Sequence, residues 1–279
     1  MSVGSVRIGP VTVGGTGFAL VGGPCVIEGE DMLLETAQFL ADLCRGLGVG
    51  FVLKSSYVKA NRTAGDSYRG PGIQEGLDVL RRVKDRVNCP VLVDVHERDE
   101  VEIAARVADA VQIPAFLCRQ TALLEAAGRC GRPVNIKKGQ FMAPDDMAFA
   151  AQKVERAGGA GVILTERGTF FGYHDLVVDM RGMLRMRAMG YPVLFDATHS
   201  TQSPGGLGGH SGGDRELAAP LARAAAALGI DGIFMEVHPA PQHARSDSAA
   251  QLDFSGARSL VGQVLAVRRS LREEFTVDG

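Results

Sequence analysis

Eleven polar side chains fall at or just after short apolar runs in this sequence, and their types suit catalysis. Cys25 follows FALV, Lys54 follows GFVL, and Asp94 and His96 close VLVDVH. Gln112 sits near the end of AVQI, Lys137 follows VNI, and Glu166 and Arg167 follow VIL. His199 stands in FDATHS, and Glu236 and His238 follow IFM. One thiol, one imidazole and two carboxylates (Cys25, His199, Glu236 and Asp247) make a donor set for a divalent metal such as Zn²⁺, Fe²⁺ or Mn²⁺. A second group is cationic: Lys54, Lys59, Arg62 and Arg69 in one stretch, then Arg119, Lys137, Lys138 and Arg167. These cations stand beside Ser, Asn and Gly in loops, a setting suited to phosphate recognition. Two separated groups could hold two phosphates.

The elements that must position them alternate. Strand-like runs are expected at Phe18–Val21, Gly50–Leu53, Val91–Val95, Ala110–Ile113, Val134–Ile136, Val162–Leu164, Val193–Phe195 and Ile233–Met235. Between them, helical patterns cover Met32–Leu47, Gln74–Val87, Glu100–Ala108, Thr121–Gly128, Asp145–Ala157, Arg215–Leu228 and Ser255–Glu274. Short apolar runs separated by amphipathic helices imply parallel strands buried on both faces. About eight such units make an α/β (β/α)₈ TIM barrel, whose active site lies at the C-terminal strand ends. An open doubly wound sheet is the rival, but GGPCVIEGE is no dinucleotide fingerprint. Barrel closure sets the first strand beside the eighth, so Cys25 should meet Glu236. No linker divides the chain, so a single domain is expected over 1–279, with a hairpin in 1–16 (VRIGPVTV) and the barrel in 17–275.

Composition narrows the partners. With 279 residues, 46% of them hydrophobic, the chain has ample material for a core. A formal net charge of −2 points to neither nucleic acid nor a membrane surface as partner. No apolar stretch approaches the ~18 residues of a membrane span, and the N-terminus lacks a signal-peptide pattern; a cytoplasmic protein is expected. The five cysteines form no CxxC pair, so disulfides are not expected.

The stretches GPCVIE, FVLKSSYVKANR, SYRGPG, VDVHE, QIPAFLCRQT, VNIKKGQF, LTERGTFFGYHDLVVD, FDATHS and FMEVHP resemble the 3-deoxy-D-manno-octulosonate 8-phosphate synthase family, from about Phe18 to Leu252. That resemblance implies condensation of phosphoenolpyruvate with arabinose 5-phosphate and water, releasing phosphate, by a homotetramer. Metal-independent members carry Asn at the position of Cys25, so Cys here implies the metal-dependent class with Cys25, His199, Glu236 and Asp247 as ligands. It also implies that Lys54, Lys59, Arg119, Lys137 and Arg167 hold phosphoenolpyruvate, and that Asn61 and Arg62 hold the aldose phosphate. Asp94, His96 and Gln112 would line the reaction centre, with Lys137, His199, Asp94, His96 and Asp247 in catalytic roles. The glycine-rich QSPGGLGGHSGGDRE resembles the segment that covers the site. The chain departs from the pattern at Val58 and Thr63–Ser67, beside the aldose phosphate. Two other readings are a synthase using erythrose 4-phosphate, whose loop reads Lys-Pro-Arg-Thr where this chain has Ala60-Asn61-Arg62, and a non-catalytic phosphosugar-binding barrel.

Overall fold

A computed structural model describes residues 3–60, 68–170, 172–204 and 212–273, with side chains described as far as 271. The chain opens with an antiparallel hairpin, β1 (Ser5–Ile8) and β2 (Val11–Gly14), in which Val6 faces Val13 and Ile8 faces Val11. Eight parallel strands follow: β3 (Ala19–Gly23), β4 (Gly50–Lys54), β5 (Val91–Asp94), β6 (Ala110–Ile113), β7 (Val134–Lys137), β8 (Val162–Glu166), β9 (Val193–Asp196) and, after a short pair, β12 (Gly232–Glu236). They close into a barrel, with β12 paired to both β9 and β3. The short pair is β10 (Gln202–Ser203) with β11 (Gly212–Gly213). Eight helices surround the barrel: α1 (Glu30–Leu47), α2 (Ile73–Val87), α3 (Arg98–Ala105), α4 (Thr121–Arg129), α5 (Met147–Arg156), α6 (Met180–Ala188), α7 (Ala218–Ala227) and α8 (Phe254–Glu273). The (β/α)₈ expectation holds.

The barrel strands are buried almost throughout because both faces are covered. Outside them, helices present apolar stripes: α2 buries Leu77, Val79, Leu80, Val83 and Val87 while its Arg and Asp residues face water. Inside, Val21, Val52, Leu92, Ile163, Leu194 and Phe234 pack with Val6, Ile8, Val11 and Val13. The hairpin therefore plugs the N-terminal end of the barrel. With one end closed by hydrophobic side chains, the polar groups collect at the other.

Two local differences from the sequence expectation have physical causes. Helix α6 was not expected. Its sequence MRGMLRMRA buries only Gly182, Met183 and Met186, and a single i, i+3 pair of methionines is hard to see among arginines. Strand β3 runs two residues further than expected, through Gly22 and Gly23. Gly23 has φ 154°, and a Cβ there would lie 2.2 Å from the Lys54 carbonyl oxygen. Only glycine lets β3 and β4 stay this close where the chain turns toward Cys25.

Candidate active site

The strand ends converge on a cleft of about 320 Å³ at the C-terminal face of the barrel, lined by Lys54, Lys59, Asp94, His96, Gln112, Lys137, Gln140, Arg167 and His199. They come from, or from just beyond, the ends of six consecutive strands, β4 to β9. The strand-end residues Glu166, Glu236 and His238 do not line this cleft, whereas of the residues expected to hold phosphoenolpyruvate or line the reaction centre all do except Arg119. That residue follows the short turn Ala115–Leu117, where its neighbour Cys118 is buried inward, so Arg119 is exposed. It lines a separate cleft with Asp146, Phe149 and Lys153. Asn61 and Arg62 lie outside the described residues, as does the centre of the glycine-rich segment.

The cations are held by buried carboxylates. Lys54 Nζ donates to Ser56 Oγ at 3.1 Å and lies 3.7 Å from both Asp94 Oδ1 and Glu236 Oε1. Ser56 Oγ in turn donates to Asp94 Oδ1 at 2.6 Å. Burial would raise the Asp94 carboxyl, but Lys54, His96 and Lys59 hold it well below the usual carboxylate range. Lys137, at the end of β7, donates to Asp196 Oδ2 at 2.6 Å across the barrel. Its ammonium sits 3.6 Å from the Phe234 ring centroid, a cation–π contact inside the barrel wall. Burial lowers the proton affinity of Lys137, and Asp196 opposes that shift.

Asp196 is the residue that sequence reading missed. It was visible in FDATHS as the polar end of an apolar strand, yet only His199 was singled out. In the structure it is fully buried and is the hub of the site. Oδ2 receives Lys137 and lies 2.8 Å from His199 Nδ1, while Oδ1 accepts from the backbone N–H of His199 at 2.9 Å. Burial would raise its carboxyl, but His199 and Lys137 hold it far below the usual range. Lys137 Nζ also lies 3.4 Å from His199 Nδ1, and His199 Nε2 lies 3.5 Å from Glu236 Oε1. A chain of ionisable groups thus runs Lys137–Asp196–His199, with Glu236 at ion-pair distance beyond it.

Beside the cleft, donor atoms of Cys25, Glu236 and Asp247 all lie within 4.8 Å of one another. Barrel closure does this as expected: Glu236 on β12 pairs with Gly23 on β3, two residues before Cys25. His199, the fourth expected ligand, stands outside this trio and touches it through Glu236. Two observations fit a divalent cation here. Glu236 Oε1 is buried without a hydrogen-bond partner, though three cationic or imidazole groups stand at 3.5–4.0 Å. The Cys25 thiol has two acceptors for one proton, Ser246 Oγ at 2.9 Å and Asp247 Oδ2 at 3.1 Å. Burial, then Glu236, raises that thiol well above its ordinary value, and a bound cation is what allows such a buried thiol to ionise. Asp247 adopts φ 49°, a left-handed conformation that Asp tolerates better than most residues. Gln202 links this trio to the cleft, donating to Asp247 Oδ1 at 2.9 Å and accepting from Arg167 Nη2 at 3.0 Å.

Three further buried polar atoms without hydrogen-bond partners among the described residues, His96 Nδ1, Gln140 Oε1 and Arg167 Nη1, belong to cleft residues. Native interiors rarely leave such groups unpaired, so their gathering at one cleft marks a place for a polar ligand. All five cysteines are free, as expected. No described helix is long and apolar enough to cross a membrane.

Comparison with known proteins gives the same answer from another direction. A protein from Magnetococcus marinus named 2-dehydro-3-deoxyphosphooctonate aldolase is 50% identical over all of this chain and 96% of its own length. A Cyanothece protein of that name is 52% identical over 92% of this chain and 94% of its own. One from Geobacter sp. M21, also so named, is 54% identical over 88% of this chain and 89% of its own. The model of the DAHP synthetase I family matches residues 5–268, the whole barrel with its plugging hairpin. The chain belongs to the DAHP synthetase I family.

Proposed function

We propose that this chain is a metal-dependent 3-deoxy-D-manno-octulosonate 8-phosphate synthase, joining phosphoenolpyruvate, arabinose 5-phosphate and water with release of inorganic phosphate. The observation that carries this reading is the single cleft in which buried Lys54, Lys137 and Arg167 stand beside a cysteine–carboxylate donor trio. The name shared by the relatives supports the octulosonate reaction over the erythrose 4-phosphate one.

In this reading Lys54, Lys137 and Arg167 hold the phosphate and carboxylate of phosphoenolpyruvate. Arg167 presents a partnerless buried Nη1, a donor already oriented by Gln202. Water adds at C2 while C3 forms a bond to the aldehyde carbon of the sugar, and the tetrahedral product at C2 then expels phosphate. Clamping both phosphates converts a bimolecular step into an oriented one. Asp196 fixes Lys137 and His199 at the reacting face, and the line from Lys137 to Glu236 can move a proton to or from the added water. A Zn²⁺, Fe²⁺ or Mn²⁺ ion held by Cys25, Glu236 and Asp247, with His199 beside them, would supply Lewis-acid charge. Asn61 and Arg62 are assigned to the aldose phosphate on the resemblance alone. A cytoplasmic homotetramer completes the reading, the tetramer resting on the same resemblance.

The test is phosphate release from phosphoenolpyruvate with arabinose 5-phosphate and with erythrose 4-phosphate, run in parallel with product mass analysis. An eight-carbon product with stoichiometric phosphate is expected. Turnover only with erythrose 4-phosphate, or with neither aldose after metal add-back, overturns the reading.

A further inference from the structure

We propose that Glu100 is a positioning residue that keeps His96 as a doubly protonated cation facing the cleft. This goes beyond the reaction class, and it rests on the functional reading only for its catalytic meaning. His96 leaves the end of β5 and lines the cleft. Its two ring nitrogens look at two different carboxylates. Nε2 lies 3.3 Å from Asp94 Oδ2, and Nδ1 lies 3.6 Å from Glu100 Oε2.

The Nδ1 approach is an ion-pair distance rather than a formed hydrogen bond. A neutral imidazole would still turn one lone pair toward one of these carboxylates, whereas imidazolium presents an N–H toward each. Glu100 is held for this task from three sides. Its Oε2 accepts from the backbone N–H of His96 at 2.9 Å and of Glu97 at 3.4 Å, and from Tyr57 Oη at 3.0 Å. Tyr57 is fully buried and packs edge-on to the His96 ring, 6.3 Å between centroids. Glu100 also lies in the first turn of α3, where the helix dipole favours its negative charge.

The charged groups around the ring are these two carboxylates at close range, Lys54 and Lys59 beyond Asp94, and Lys137, Arg167 and His199 around the cleft wall. Desolvation alone would lower the proton affinity of His96. Asp94 and Glu100 outweigh it and raise the imidazole to about 9, and Glu100 itself falls to about 2. Near neutral pH the ring therefore keeps both protons. It lends positive charge to a cleft meant for phosphates and immobilises Asp94, and it does not serve as a general base.

The experiment is ring NMR of protein labelled with ¹⁵N-histidine, titrated from about pH 5 to 10, with His96→Gln identifying the resonance among six histidines. The His96 ring is expected to titrate at least one pH unit above an ordinary histidine (~6.5), and to fall by one unit or more in Glu100→Gln; one unit is tenfold in proton affinity. A Glu100 that merely caps α3 would weaken folding and leave the midpoint where it was. If Glu100→Gln does not fold, Tyr57→Phe replaces it, with a smaller downward shift expected. A wild-type midpoint in the ordinary range, or a midpoint unmoved by the variants, overturns the proposal. The titration needs no substrate, so a failed activity assay and a failed inference remain distinguishable.

Discussion

Asp196→Asn is the most informative single change, because it keeps shape and removes one charge from the centre of the site. Asp196 is fully buried, 2.6 Å from the Lys137 ammonium and 2.8 Å from His199 Nδ1. Removing one member of a buried pair costs ~3–5 kcal/mol, since the other charge is left without compensation. Lys137 can limit the loss by shedding its proton, which burial has already made easier. A loss near the lower end, ~3 kcal/mol, is therefore expected. At roughly 2–4 °C per kcal/mol for a chain of about this size, the melting temperature should fall by about 6–12 °C. The pH dependence carries a definite sign. The Asp196 carboxyl titrates lower when folded than when unfolded, so its stabilisation is complete above the unfolded value of ~3.9. It is lost as pH falls through the folded value, so the gap between wild type and variant should narrow below about pH 4. Urea denaturation of wild type, Asp196→Asn, Lys137→Met and the double variant closes a cycle. A coupling of about 2 kcal/mol is expected, within the range for residues in one network. Additivity within ~0.5 kcal/mol would refute the claim that Asp196 works through Lys137.

Thorough chelation should abolish phosphate release and a divalent metal should restore it. In Glu236→Gln, metal content by elemental analysis should fall at least tenfold at equal free metal, because one of three clustered donors is neutralised. Arg167→Lys keeps a charge but loses the fork and the bond to Gln202, so KM for phosphoenolpyruvate should rise about tenfold to a hundredfold, the ~1.5–3 kcal/mol of a charged hydrogen bond. Gly76→Ala should destabilise the fold by ~1–3 kcal/mol, measured by urea denaturation, as overpacking does. Helix propensity alone predicts a gain of ~0.5–1 kcal/mol, but the new Cβ would lie 2.4 Å from Tyr57 Cβ.

Much of the architecture was legible because period and punctuation agree. Strands such as Ala110–Ile113 are short apolar runs bounded by polar residues, and they were placed to the residue. The strand-end rule then found Lys54, Asp94, His96, Gln112, Lys137 and Arg167 without any geometry. Closure found the Cys25–Glu236 pairing, since an eight-stranded barrel leaves the first and last strands no other neighbour. What could not be read was orientation. Arg119 and Lys137 look alike in sequence, yet one points to water and the other into the barrel. Glu100 marked the expected start of a helix, which in fact begins at Arg98, and nothing in the sequence indicated that its carboxylate faces back toward His96. Asp196 was hidden by its own neighbour, because a histidine in FDATHS draws attention from the aspartate that holds it.

Closure between β3 and β12 also has a consequence for how the molecule comes into being. Cys25 and Asp247 are separated by 222 positions, and Lys54 must find Glu236 near the far end of the chain. During synthesis the thiol leaves the ribosome long before either carboxylate exists. Early β-strands can pair as they emerge, but the donor trio forms only when β12 slides in beside β3. A nascent chain therefore offers no competent site for metal until the barrel is finished. On the metal-dependent reading, capture of the ion would mark the end of folding, and its stoichiometry would count completed barrels.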